Sequence, residues 1–184
     1  MSQPGLIFKI IIGGDGGVGK TTMLHRYVNN EFIFDSKMTI GTDILNKMIT
    51  LKEGPVCALQ LWDFGGQERF RFILDSFVKG AAGAFLMFDL TVFISFNNLP
   101  KWLDLVRNED PTLPILLIGS KYDLIDSITV DDDLVREFVE DNNICGYCKV
   151  SSKTGYNVNI AFESLISTII DYRHITIVDQ SMEV

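Results

Sequence analysis

The apolar run Leu6 to Ile12 passes directly into Gly14-Asp15-Gly16-Gly17-Val18-Gly19-Lys20-Thr21, and the residues from Thr22 to Asn29 then read as a helix. Strand, glycine-rich turn and helix in this order, with the spacing G-x-x-x-x-G-K-S/T, leave few folds open. The glycines let successive backbone N–H groups turn inward around a phosphate. The lysine reaches the outer phosphates, and the threonine hydroxyl is placed to ligate Mg²⁺. The helix points the positive end of its dipole at the same spot, so three local features agree on one anion site. A glycine-rich turn without a ligand is the competing reading, and eight matching residues in a strand–turn–helix context weigh against it. A nucleoside triphosphate is therefore the expected ligand, held by Gly16, Gly17, Val18, Gly19, Lys20, Thr21 and Thr22.

The rest of the chain repeats the alternation. Ala82 to Phe88 and Leu113 to Gly119 are short, nearly continuous apolar runs, as in central parallel strands covered on both faces. Helical spacing recurs in Phe96, Leu99, Leu103 and Val106, in Leu134, Val135, Phe138 and Val139, and in Ile160, Leu165, Ile169 and Ile170. Ile44 to Leu51 and Val56 to Trp62 flank a turn-rich Lys52-Glu53-Gly54-Pro55, which predicts a hairpin and one antiparallel strand. An α/β fold follows: a six-stranded, mixed but mostly parallel sheet with helices on both faces and the ligand outside the strands' carboxyl ends. No internal repeat or linker divides the 184 residues. One domain over residues 6–172 is expected, between an extension at 1–5 and a tail at 173–184. Asp131-Asp132-Asp133 opens a helical pattern, where carboxylates favour the positive dipole end, and is read as a helix start in preference to a metal cluster.

A formal charge of −8 disfavours nonspecific nucleic-acid binding, so a phosphate ligand must be held by local donors. Cys57, Cys145 and Cys148 make an odd set without a secretory leader, which favours a reducing cytosol. Cys145 and Cys148 form a C-x-x-C with no second pair and read as ordinary thiols. No apolar stretch is long enough for a membrane span. The last six residues, Asp179 to Val184, hold no cysteine for prenylation, and Ser2 excludes the glycine needed for myristoylation. No lipid anchor is expected at either end. The expected location is cytoplasmic, with any peripheral membrane contact made through a partner.

Four further positions complete the chemistry of a triphosphate site. Asp63 closes the expected third strand beside the phosphate loop, where a carboxylate holds Mg²⁺ directly or through water. In Gly66-Gln67, the glycine lets its N–H approach the γ-phosphate and the glutamine orients the attacking water, which makes Gln67 the expected catalytic residue. Thr39 adds a hydroxyl for the metal and an N–H for the γ-phosphate. Those contacts exist only in the triphosphate state, so their loss on hydrolysis would release both loops.

Gly119-Ser120-Lys121-Tyr122-Asp123 ends the fifth strand, and Val150-Ser151-Ser152-Lys153-Thr154-Gly155 ends the sixth. With these two segments the chain resembles the Ras-superfamily small GTPases over roughly residues 6 to 172. It is closest to the Rab branch through Thr39-Ile40-Gly41-Thr42-Asp43, Trp62 to Phe72, Phe77 to Ala81 and Ser95 to Asn98. Phe64-Gly65-Gly66 is spelled more as in Arf proteins and heterotrimeric α-subunits. The resemblance implies a single-domain P-loop GTPase fold, GTP and GDP as ligands with Mg²⁺, and slow intrinsic hydrolysis. It implies that Asp123 reads the guanine N1–H and 2-amino group, and that Phe32 and the stem of Lys121 pack on the two faces of the ring. Ser151, Ser152 and Lys153 form the element that lends backbone donors to the guanine oxygen.

Ser120 stands where the family has asparagine, which implies weaker bracing of the guanine site. Ser36 replaces a common aromatic, which implies a loop that closes less completely over the phosphates. Arg69 and Arg71 belong to the switch surface by resemblance, so no arginine of the chain is placed as a finger, and acceleration would come from an activating partner. Effector, exchange-factor and GTPase-activating proteins are the implied partners, meeting a hydrophobic trio of Ile44, Trp62 and Phe77. Core packing is the competing reading for each of the three. A nucleotide-binding scaffold that scarcely hydrolyses GTP is the alternative function. An ATP-using kinase is disfavoured by Asp123.

Overall fold

The computed structural model describes residues 5–34, 39, 41–51, 55–65 and 78–173. The opening apolar run forms β1 (Leu6–Gly13), and the helix behind the glycine-rich turn, α1, covers Lys20–Asn29, starting two residues before the expected Thr22. The expected hairpin strands are β2 (Thr42–Thr50) and β3 (Val56–Phe64), antiparallel from Thr42 opposite Phe64 to Thr50 opposite Val56. With β4 (Gly83–Asp89), β5 (Ile115–Ser120) and β6 (Gly146–Lys149) they form a six-stranded sheet in the order β2-β3-β1-β4-β5-β6. Every pairing except β2–β3 is parallel, as the crossover pattern requires. The remaining helices are α2 (Phe93–Asn97), α3 (Leu99–Arg107), α4 (Asp132–Asp141) and α5 (Val158–Tyr172). The acidic triplet is a helix start: the Asp131 carboxylate accepts the Asp133 N–H and caps α4.

β4 and β5 are buried at every position, which explains why they read as unbroken apolar runs. On one face Met23, Leu24 and Tyr27 of α1 and Ala161, Phe162 and Leu165 of α5 pack on Phe8, Ile10 and Ile12 of β1. On the other face Leu99, Trp102 and Leu103 of α3 and Val135 of α4 pack on Ile11, Leu86 and Phe88. Leu134 and Ile160, which share the helical spacing, are exposed. Both helices carry apolar residues over more than one face, and contact with the sheet selects Val135, Ala161 and Phe162 as the inward set.

The chain leaves β1 toward β3 on one side and later returns to β4 on the other. The carboxyl end of β1 therefore opens into the gap between crossovers that run in opposite directions. Gly14 enters this gap with φ at 145°, and a Cβ there would stand 2.2 Å from the Met87 carbonyl oxygen of β4. Only glycine turns this close to a neighbouring strand.

Phe162 carries much of the α1–α5 packing: it is fully buried, stacked on Tyr27 at 3.6 Å and edge-on to Phe85 at 4.8 Å between ring centroids. Phe162→Ala is expected to lower the unfolding free energy by about 3–5 kcal/mol, measured by urea denaturation. A loss below about 1 kcal/mol would contradict the packing of this face.

Candidate nucleotide site at the carboxyl ends of the strands

The phosphate-loop motif is shaped from beneath by side chains that hold its carbonyl groups. Lys20 Nζ donates to the carbonyls of Gly14 and Asp15, both at 2.8 Å, and Ser120 Oγ donates to those of Val18 at 2.7 Å and Phe88 at 2.9 Å. In a trans peptide the C=O and N–H point in opposite directions, so carbonyls held below leave N–H groups above. Among the described residues, none of the backbone N–H groups from Gly16 to Thr22 donates a hydrogen bond. A row of unused amides at the start of α1, with Gly19 left-handed at its N-cap, is an anion nest. The loop is tied sideways as well, because the Asp15 carboxylate accepts Asn98 Nδ2 at 2.7 Å and Trp102 Nε1 at 2.8 Å. Lys20 is buried, and that desolvation lowers its pKa to about 8 against the opposing pull of Asp63 and Asp15.

The three oxygen groups expected around a metal converge beside this nest. Thr21 Oγ1 donates to Asp63 Oδ2, Thr39 Oγ1 lies 2.8 Å from Thr21 Oγ1, and Thr39 Oγ1 is 3.3 Å from the same carboxylate oxygen. Asp63 is fully buried, and its second oxygen, Oδ1, meets no hydrogen-bond donor among the described residues. Desolvation raises the pKa of this carboxyl, while the two hydroxyls and Lys20 pull it back down. A buried carboxylate with spare lone pairs and two hydroxyls is an all-oxygen set that suits Mg²⁺, which keeps its remaining positions for water and phosphate.

The nest is one end of a cleft of about 730 Å³, and the loops after β5 and β6 are the other. Asp123 lines that far end; its Oδ1 accepts the Ser151 hydroxyl at 2.6 Å, and Lys153 Nζ stands 4.0 Å from its Oδ2. Lys121 lines the cleft with its ammonium paired at 2.5 Å to Asp89, a buried carboxylate at the end of β4, so its aliphatic stem is held along the wall. Phe32 lies across the cleft, edge-on to Phe34 at 5.0 Å.

Of the expected site residues, Gly16, Gly17, Val18, Gly19, Lys20, Thr21, Thr22, Phe32, Thr39, Ser120, Lys121, Asp123, Ser152 and Lys153 all line this one cleft. Ser151 does not: it is buried behind Asp123 and reaches the cleft only through that carboxylate. Asp63 sits behind Thr21, also off the wall. Gly66, Gln67 and Phe77 lie outside the described residues, as do Ser36, Arg69 and Arg71. Ile44 is exposed and paired in register with Trp62, which is half-buried, packs against the core and carries Lys9 Nζ 4.2 Å above its ring. Cys57, Cys145 and Cys148 are free thiols. Ile33, Phe34, Phe64 and Leu124 also line the cleft, and Asp89 is its buried anchor, although the motifs assign none of these five a ligand role. Only Leu124 had a local signal, its place directly after Asp123.

The Ras family model matches residues 9–171 of the chain. Among curated proteins the chain is similar to Ras-related protein RABA1b of Arabidopsis thaliana, 35% identical over 164 residues that cover 89% of this chain and 75% of the relative. It is also similar to Ras-related protein Rab11A of Lotus japonicus, 36% identical over 164 residues that cover 89% of this chain and 72% of the relative.

Two measurements test the shaping of the loop. Ser120→Ala removes the donor shared by the Val18 and Phe88 carbonyls and is expected to lower stability by about 1–3 kcal/mol, read by denaturant unfolding; an unchanged midpoint would show the bridge to be idle. A phosphate group beside Lys20 raises that lysine's pKa, so binding takes up a proton once the pH exceeds about 8. Affinity for a nucleoside diphosphate should therefore be level below that pH and fall above it, by at most about tenfold per unit. Calorimetric titration between pH 7 and 9 measures this, and a rising affinity would overturn the sign.

Proposed function

The chain belongs to the Ras family and its Rab branch, a small GTP-binding protein that acts as a GTP/GDP switch and hydrolyses GTP, and from that membership we propose how its residues divide the work. The amides from Gly16 to Thr22 and the Lys20 ammonium hold the phosphates, compensating their charge with fixed dipoles and one buried cation. Thr21, Thr39 and Asp63 hold Mg²⁺ when it is bound. The ion supplies neutralisation of the charge that develops on the phosphate oxygens.

At the other end, Asp123 accepts from the guanine N1–H and 2-amino group, with Ser151 fixing the carboxylate from behind. An adenine presents neither of these donors and would leave the carboxylate without its base partners, a mismatch that discriminates strongly. Phe32 and the anchored stem of Lys121 hold the ring from its two faces, and Ser152 and Lys153 offer N–H donors to the guanine oxygen. Gln67 orients the attacking water and Gly66 meets the γ-phosphate. Since water positioning and charge stabilisation do most of the work in this reaction, turnover by the isolated protein is slow. The exposed Ile44 and the half-buried Trp62, together with Phe77, present the switch state to effectors, exchange factors and GTPase-activating proteins.

The observation that carries this reading is the single cleft with an amide nest at one end and a braced Asp123 at the other. The nucleotide that co-purifies with the protein should be GDP or GTP, and excess ATP should not displace it; recovery of adenine nucleotide would overturn the assignment of Asp123. Gln67→Leu should slow single-turnover phosphate release from GTP by at least about tenfold while GDP affinity is retained. Equal rates for the two proteins would remove Gln67 from its role.

A further inference from the structure

Arg26 lies in the middle of α1, six residues beyond Lys20, and has no part in the roles assigned above. Its guanidinium reaches to the loop after β6. Nε donates to the Ser152 carbonyl at 2.7 Å and Nη2 to the Lys153 carbonyl at 2.9 Å, while Nη1 donates to the Asn30 carbonyl at 2.9 Å. The rigid, charged fork of arginine suits such a grip on adjacent carbonyls, and a lysine has no equivalent of it.

Each trans peptide plane turns a held carbonyl into a directed N–H. Arg26 holds the Ser152 carbonyl, which fixes the direction of the Lys153 N–H. The Ser151 carbonyl accepts the Gly155 N–H at 2.8 Å, which fixes the Ser152 N–H in the same way. Neither of these two N–H groups donates to anything among the described residues, and both residues line the base end of the cleft. The next amide is already used, because Thr154 N–H donates to Ser151 Oγ at 3.1 Å. The hydroxyl of Ser151 donates in turn to Asp123. The loop thus has two supports of different origin: Ser151 braces Asp123, and Arg26 braces the backbone donors.

We propose that Arg26 is a positioning residue for base recognition, acting from α1 to aim the Lys153 N–H at the exocyclic oxygen of guanine. The proposal rests on the reading that guanine occupies this end of the cleft. Removing Arg26 frees two carbonyls from a charge-assisted donor and lets their peptide planes rotate, so a preorganised contact becomes one that must be ordered on binding. The loss falls first on the oxygen contact, because Asp123 takes its hydrogen bond from the Ser151 hydroxyl and none from Arg26, which reaches that hydroxyl only at one remove, through the Thr154 N–H.

Two base analogues separate the contacts. The diphosphate of 6-thioguanosine replaces the exocyclic oxygen by a weakly accepting sulfur and keeps the N1–H and 2-amino group. Inosine diphosphate keeps the oxygen and lacks the 2-amino group. Kd values for GDP and both analogues are measured on the full chain with Arg26 and with Arg26→Ala, Arg26→Gln and Arg26→Lys, so that each protein yields ratios in which a general loss of affinity cancels. The expected result is that Arg26→Ala lowers the preference for GDP over the thio analogue about fivefold or more and leaves the preference over inosine diphosphate within about twofold, with Arg26→Lys intermediate. If the alanine variant does not fold, the glutamine and lysine variants supply the same ratios.

An unchanged thio ratio in the variants overturns the proposal, as does a parallel fall of both ratios, which would mark Arg26 as a support of the whole loop. A wild-type protein indifferent to the sulfur overturns it as well. Indifference of the wild type to the missing 2-amino group would instead sink the placement of guanine against Asp123, and the proposal with it.

Discussion

A buried ammonium organises this molecule. Lys20 is withdrawn from water at the start of α1, and a charge in that position has to be met by oriented dipoles. The carbonyls of Gly14 and Asp15 meet it. Turning them toward the lysine bends the loop into a shape that Gly14 alone could enter at that distance from β4. The same turn leaves the amides from Gly16 to Thr22 without acceptors among the described residues, so the loop is complete only when an anion sits over it. The depressed pKa of Lys20 records the same tension, a cation whose best partner is a ligand.

The loop would be a poor recognition element if it were free to move, and the surrounding fold pins it from several directions. Ser120 at the end of β5 holds the Val18 carbonyl, and Trp102 and Asn98 hold the Asp15 carboxylate from the α2–α3 side. Ser120 stands where the family resemblance implies an asparagine, yet its one hydroxyl is buried and bridges the phosphate loop to β4. One proton serves two carbonyls there, so the bracing is present in thinner form. The base end is braced in parallel by Ser151 on Asp123, Asp89 on Lys121 and Arg26 on the loop after β6. The fold thus supplies second partners to Asp123, Lys121 and the carbonyls behind the two sets of amides, which is what lets a small protein hold a nucleotide firmly on loops.

Much of the architecture was legible because its elements carry their own demands. The strands β4 and β5 read as apolar runs since both faces are covered, and the hairpin β2–β3 was marked by its turn residues. Asp131 to Asp133 were legible as a helix start through capping and dipole alone. Leu134 and Ile160 lie in helices as their spacing predicts, yet are exposed, because spacing shows that a helix has apolar residues without showing which face the sheet will select. Ser151 was placed among the residues that touch ligand, whereas it stands one shell behind, because neighbours in sequence on a turn point in different directions. Arg26 and Asp89 carried no local signal. Arg26 grips a carbonyl 126 residues away, and nothing near it in sequence distinguishes it from any polar residue on a helix.

The sequence by itself determined the phosphate loop and the strand–helix order, because turn geometry, capping and apolar periodicity depend on residues a few positions apart. The resemblance built on those motifs added guanine as the base. Tertiary structure decided which carbonyls are held and hence which amides are left to face the cleft. That outcome depends on the strand order β2-β3-β1-β4-β5-β6, which brings Lys20, Ser120, Asp123 and Arg26 to one end of the sheet. A hydrogen bond across such a distance in sequence has no local precursor, since its geometry exists only once the sheet is assembled.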